Sequence, residues 1–159
     1  MKVDPVFLKT DWVKAVRQGD KTRGRKLFGA QGLGCAKCHG ITADAALNGG
    51  PSLAEAGRRF TTPHLVESIL FPGKQVSPVF RTTLVVTTAG KTITGLVVGE
   101  TADKLELLQP DATRITIPST QVDERKLQDA SPMPAGLVKT PDELRDILAY
   151  LLSENPPPP

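Results

Sequence analysis

Residues 35–39 read Cys35-Ala36-Lys37-Cys38-His39, and the fold expected for the chain turns on how this stretch is read. These are the chain's two cysteines. Two thiols in C-x-x-C spacing with a histidine next to them form the attachment signature of c-type haem. Each thiol can add to one vinyl group of the porphyrin, and the adjacent imidazole falls beneath the iron. Two other chemistries use the same residue types. A C-x-x-C pair can be a redox dithiol, although such pairs follow a strand and open a helix, and here the flanks are Gly-rich loop. Zinc could take Cys35, Cys38, His39 and His64, although tetrahedral sites rarely use neighbours such as Cys38 and His39.

Around the pentapeptide lies a chain of 159 residues, 39% hydrophobic and 23% charged, which suits one globular domain or one domain with an insertion. Aromatic residues are only 4%, so the core must be aliphatic or be filled by a group the chain does not encode. No apolar run reaches the roughly 18 residues of a membrane span. Met1-Lys2-Val3-Asp4-Pro5 has neither an apolar region nor a cleavage site, so the chain as given carries no export signal and reads as a mature form or an excised piece. The net charge is +3. Its one basic cluster, Lys21, Arg23, Arg25 and Lys26, is too sparse for nucleic-acid binding and reads as a solvated helix face, or as a docking surface for an acidic partner. No acid–base pair, and no nucleophile with its base, stands out. No substrate chemistry is expected, so the chain reads as no enzyme in itself.

The pattern predicts a short helix over 11–16 and a second over about 21–30 capped by Asp20. Residues 31–59 read as loop. Thr62-Pro63 opens a helix through Leu70, which Phe71-Pro72-Gly73 stops. The character then changes: Val, Ile and Thr dominate 79–117, predicting four strands at about 80–88, 91–98, 103–109 and 113–117 joined by turns at Ala89-Gly90 and Pro110-Asp111-Ala112. Residues 118–139 read as loop. Thr140-Pro141-Asp142-Glu143 is a capping box opening a helix over about 141–153, whose stripe is Leu144, Ile147, Leu148, Leu151 and Leu152.

With these residues in hand, the chain resembles a class I c-type cytochrome. Gly19 to Phe28 looks like the family's N-terminal helix, in which a Gly and an aromatic face the C-terminal helix, and Ile147-Leu148-Ala149-Tyr150-Leu151 looks like that partner. The resemblance implies that Gly24 lets the two helices approach and that Tyr150 packs over the gap. Gly50-Pro51-Ser52-Leu53 resembles the segment whose proline carbonyl accepts a hydrogen bond from the proximal histidine ring, which implies that role for Pro51 toward His39. Arg58 or Arg59 would pair with a haem propionate. Ser131-Pro132-Met133-Pro134-Ala135-Gly136-Leu137 resembles the distal loop, which implies Met133 as the second axial ligand, with His64 the other candidate.

The match covers about 20–73 and 129–153 and fails between. The whole arrangement resembles a narrower family, the planctomycete-type haem-binding C-terminal domains, in which a β-rich insertion precedes the distal Met loop. The expected fold is therefore mainly α, a cytochrome c core at 20–73 and 129–153 with a small antiparallel β unit inserted at 74–128 (α+β overall). An N-terminal extension would occupy 1–19 and a disordered Pro tail 154–159. The resemblance implies one haem c bound through Cys35 and Cys38, with His39 and Met133 on the iron. It implies single-electron transfer within a larger periplasmic or otherwise extracytoplasmic redox protein, serving a redox partner or a fused dehydrogenase. A haem sensor with an open or labile sixth site is the alternative.

Overall fold

A computed structural model of the chain describes residues 3–42, 49–154, 156, 157 and 159. Three aspartates start the first helices, each accepting a backbone N–H that the helix leaves unpaired. Asp4 accepts from Val6 (2.9 Å) to open α1 (Pro5–Lys9) and Asp11 from Lys14 (3.2 Å) to open α2 (Trp12–Ala15). Asp20 accepts from Arg23 (2.9 Å) to open α3 (Lys21–Phe28). A single turn at Ala56–Arg59 is α4, and α5 spans Thr62–Leu70. The cap of α5 is Thr61, one residue before the expected position, with Pro63 in the first turn. The last helix, α6 (Pro141–Leu151), has the expected capping box: Thr140 Oγ1 accepts from the Glu143 N–H, and the Glu143 carboxylate accepts from the Thr140 N–H. Among the described residues no helix is long and apolar enough to cross a membrane.

The chain forms two compact units, Met1–Pro72 with Ala135–Pro159, and Gly73–Pro134. The helices make the first. Its core gathers Phe7 and Trp12 from the N-terminal stretch with Phe28, Leu65, Leu144 and Leu148. The Trp12 indole N–H donates to the Phe7 carbonyl at 2.8 Å, so the ring is buried without an unpaired donor.

The closest packing in this unit is α3 on α6. A Cβ built on Gly24 would stand 2.0 Å from the Asp146 carbonyl oxygen and 2.9 Å from the Tyr150 Cβ, so only glycine admits this approach. Phe28 and Tyr150 then pack with ring centroids 5.5 Å apart. Asp146, on α6, is fully buried and accepts from the Asp20 N–H (2.9 Å) and the Arg23 guanidinium. Burial pushes the Asp146 carboxyl up, but the Arg23 and Asp20 hydrogen bonds and the charges of Arg23 and Arg145 outweigh it and hold it below its ordinary value. Arg23 is thereby paired across the helices and is not simply a member of a solvated basic face.

The second unit is a five-stranded antiparallel sheet in the order β4-β3-β2-β1-β5, with β1 Thr83–Thr87, β2 Thr92–Glu100, β3 Lys104–Leu108, β4 Arg114–Pro118 and β5 Val122–Leu127. Alternate residues Val85, Leu105, Leu107 and Ile117 form its core. β2 serves two neighbours: Thr92–Gly95 pairs with β1 and Leu96–Glu100 with β3, with a register shift between Val97 and Gly99.

This sheet corrects the expectation of a mainly-α cytochrome c core with a small β insertion. Among the described residues helix accounts for 36% and strand for 20%, and the five strands make the chain α+β. The unforeseen strand is β5, Val122-Asp123-Glu124-Arg125-Lys126-Leu127, which pairs with β1 through Thr83↔Leu127 to Val86↔Glu124. Its charges made it read as loop. It is an edge strand with both faces largely exposed, where charged side chains are tolerated and discourage edge-to-edge pairing.

Two outcomes test this packing. Gly24→Ala should cost about 3 kcal/mol of stability, read as the shift of the chemical-denaturation midpoint, because backbone stands where the methyl must go. Asp146→Asn should cost about 2 kcal/mol at neutral pH, since a charge-assisted hydrogen-bond network is lost. The carboxylate's contribution is full above its ordinary value of 3.8 and is lost as pH falls through the lower value it has when folded. The wild-type advantage over the variant should therefore shrink on acidification below about pH 4.

Candidate functional site

The segment after α3 is folded back on that helix by the Leu33 N–H, which donates to the Leu27 carbonyl (2.6 Å), and by Gly34 N–H to the Gly29 carbonyl (3.1 Å). Gly34 then adopts a left-handed conformation (φ +78°), natural only for glycine, and delivers the chain into a 3₁₀ turn at Cys35–Lys37. The Cys38 and His39 N–H groups both return to the Cys35 carbonyl, at 3.2 and 2.9 Å. These backbone bonds hold Cys35, Cys38 and His39 together on one tight stretch of chain. Leu33, Cys35, Ala36, Leu53 and Phe60 are half-buried against the core of the first unit.

The segment Gly50–Leu53 is tied to the same turn. Gly50 N–H donates to the Cys38 carbonyl (3.1 Å) and Leu53 N–H to the Gly40 carbonyl (2.7 Å). His39 Nδ1 lies 2.9 Å from the Pro51 carbonyl oxygen. A carbonyl oxygen only accepts, so Nδ1 carries the proton and the neutral ring leaves the Nε2 lone pair bare. Burial holds the imidazole below its ordinary value, and the Pro51 hydrogen bond offsets this only in part, so the ring is neutral at pH 7. Burial also pushes the Cys35 thiol up to about 11, against a smaller opposing hydrogen bond within the turn. Cys38 is pushed up by burial as well, with Lys37 pulling back. All three side chains are therefore uncharged near neutrality.

The other expected site residues are placed as follows. Arg58 pairs with Glu55 at 3.2 Å, and Glu55 itself holds a left-handed backbone (φ +55°) ahead of α4. Arg59 donates to the Ser52 carbonyl (3.0 Å), and its guanidinium stands 5.0 Å from the centre of the Phe60 ring. His64, exposed in the first turn of α5, stacks on that same ring at 5.2 Å and 21°. Met133 belongs to the second unit; it is half-buried and its N–H donates to Ser131 Oγ at 3.1 Å. The structure thus gathers Cys35, Cys38, His39 and Pro51 around one turn. Among the described residues no three or more His, Cys, Asp and Glu are placed to hold a metal ion, so Cys35, Cys38, His39 and His64 do not form a zinc cluster. Phe60, shared by Arg59 and His64, was missed in the sequence; an aromatic between the Arg58-Arg59 pair and the helix opened by Thr61 was the available signal.

Two observations fit a covalently held haem: the Pro51 carbonyl takes up His39 Nδ1 and leaves Nε2 free, and the two thiols and the imidazole are uncharged near neutrality. No protein-family model matches the chain, and no curated protein matches it.

A thiolate, not a thiol, reacts with alkylating agents. In protein produced without haem attachment, Cys35 of a Cys38→Ser variant should be alkylated with a pH–rate midpoint near 11. At neutral pH its rate should be roughly a hundredfold below that of an unperturbed cysteine. A midpoint below 8 would instead mark Cys35 as a reactive thiol.

Proposed function

We propose that the chain is a one-electron transfer domain carrying a single c-type haem, anchored by Cys35 and Cys38 and ligated by His39, with Met133 as the second axial ligand. The observation that supports this reading is the His39 Nδ1 hydrogen bond to the Pro51 carbonyl, which leaves a neutral imidazole with its Nε2 lone pair free beside the C-x-x-C pair. When bound, the haem supplies an Fe(III)/Fe(II) couple. The chain supplies everything else. Cys35 and Cys38 anchor as thioethers, a use for which protonated, half-buried thiols are better suited than for disulfide exchange. Pro51 fixes the plane of His39 and, by accepting from Nδ1–H, strengthens Nε2 as a donor. Leu33, Leu53 and Phe60, half-buried against the helical core, would offer apolar surface to the haem. A thioether from Met133 favours the reduced state more than a second imidazole would. Arg58 or Arg59 is the partner for a propionate.

The resemblance to planctomycete-type haem-binding domains supports a place within a larger extracytoplasmic redox protein, exchanging electrons with a fused or partner dehydrogenase. Oxidised and reduced absorption spectra of protein made in a host that attaches haem c test the reading. Sharp reduced haem c bands and a weak red band in the oxidised form are expected. Met133→Ala should remove the red band and lower the midpoint potential, while His64→Ala changes neither. A spectrum and potential indifferent to Met133→Ala would point instead to an open or labile sixth site, and so to ligand sensing.

A further inference from the structure

We infer that Gly50 is the positioning residue of His39: the missing side chain at this position gives the imidazole its plane and, with the Pro51 carbonyl, keeps the proton on Nδ1. The functional consequence rests on the haem reading above; the geometric claim does not. A Cβ built on Gly50 would lie 2.7 Å from His39 Cε1, 2.8 Å from Nδ1 and 3.1 Å from the Cys38 carbonyl oxygen. The first two distances are shorter than real side-chain contacts allow, and the ring they strike is half-buried and tied to the Pro51 carbonyl. Backbone conformation does not explain the glycine. The neighbouring Gly49 has φ +105°, which calls for glycine, whereas Gly50 lies outside the left-handed region. What Gly50 provides is space for the ring.

The segment cannot retreat from a larger residue. Gly50 N–H is bonded to the Cys38 carbonyl at 3.1 Å, and the next carbonyl, that of Pro51, is bonded to His39 Nδ1 at 2.9 Å. Two consecutive residues thus clamp the turn and the ring it carries, one against the face of the imidazole and one at its edge. A methyl group at 50 must either break the backbone bond or turn the ring out of line with Pro51. The second is the smaller rearrangement. Turning the ring releases Nδ1–H from its acceptor and removes the basis for one tautomer. Loss of such a supporting hydrogen bond changes the strength of a metal-bound histidine by tenfold or more. For one electron, tenfold in relative stabilisation is about 59 mV. A less basic imidazole stabilises Fe(III) less, so the midpoint potential should move upward.

The test compares wild type, Gly50→Ala and Gly19→Ala. The last is a steric control: its added Cβ would stand 2.6 Å from the Ala149 Cβ, in the α6 contact and in no contact with His39. In the reduced, haem-loaded protein, NMR should show a slowly exchanging His39 Nδ1 proton in wild type and in Gly19→Ala, and exchange at least tenfold faster in Gly50→Ala. The potential should rise in Gly50→Ala alone. Equal exchange and equal potential in wild type and Gly50→Ala would overturn the inference, as would an equal rise in Gly19→Ala. If wild type carries no haem, the proposed function fails, and the tautomer of His39 read from its ¹⁵N shifts decides the positioning claim separately. A single Nδ1–H tautomer that becomes mixed in Gly50→Ala supports the inference, and one unchanged overturns it. If Gly50→Ala yields no folded protein, wild type decides: a His39 Nδ1 proton exchanging as fast as that of a free imidazole overturns the claim, and slow exchange supports it.

Discussion

The approach of α3 to α6 at Gly24 is the constraint on which the helical unit depends. The two backbones come so near that no side chain fits between them, and Asp146 converts this nearness into a set of directed bonds to Asp20 and Arg23. Dispersion between closely packed helices is spread over many weak contacts, so a register is better fixed by a few polar groups that would be left unpaired in any other. A buried carboxylate with a single half-exposed arginine for company would be a poor arrangement. Here the Asp20 N–H, at the start of α3, and the Arg145 guanidinium at 3.4 Å add to Arg23. Helix start, helix crossing and buried charge are therefore satisfied by the same group.

From that crossing the site follows by short steps. α3 ends at Phe28, the Leu33 N–H folds the next residues back on its last turn, and Gly34 turns the chain into the Cys35–His39 turn. The segment Gly50–Leu53 then closes over the turn through its own backbone bonds. The two thiols and the imidazole have ordinary values that would allow charge near neutrality, and burial moves all three toward the uncharged form. A neutral donor set, half covered by apolar side chains, is suited to holding a large apolar group by covalent bonds. It is poorly suited to thiol–disulfide exchange, which needs a thiolate.

How much of this could be read from the sequence depended on how local the cause was. The caps of α3 and α6 and the pentapeptide are set by residues a few positions apart, and their signals were plain; the Pro51 acceptor, twelve residues from His39, came only from the family resemblance. Strands β1 to β4 and the turns between β1 and β2 and between β3 and β4 were visible for the same local reason, since Val, Ile, Leu and Thr recur there among polar residues. β5 was not, because the alternation is absent from an edge strand with both faces largely exposed; its pairing with β1 is decided by backbone hydrogen bonds that no side chain advertises. In sequence Asp146 is one more polar residue on an amphipathic helix, and only the crossing with α3 makes it buried. Gly50 looked like half of a Gly-Pro turn, and only the His39 ring makes its lack of a side chain necessary. The division of the chain also differs from the reading at 74–128: the second unit continues to Pro134 and so contains Met133.

The central claim is that Cys35 and Cys38 carry one haem with His39 as its ligand. The most direct measurement is mass spectrometry of the protease-released peptide spanning residues 35–39, from protein expressed in a host with haem-attachment machinery. The account predicts that this peptide gains the mass of a single haem and that Cys35→Ser with Cys38→Ser abolishes the gain. A peptide at its bare polypeptide mass, with both thiols free or joined as a disulfide, would contradict it.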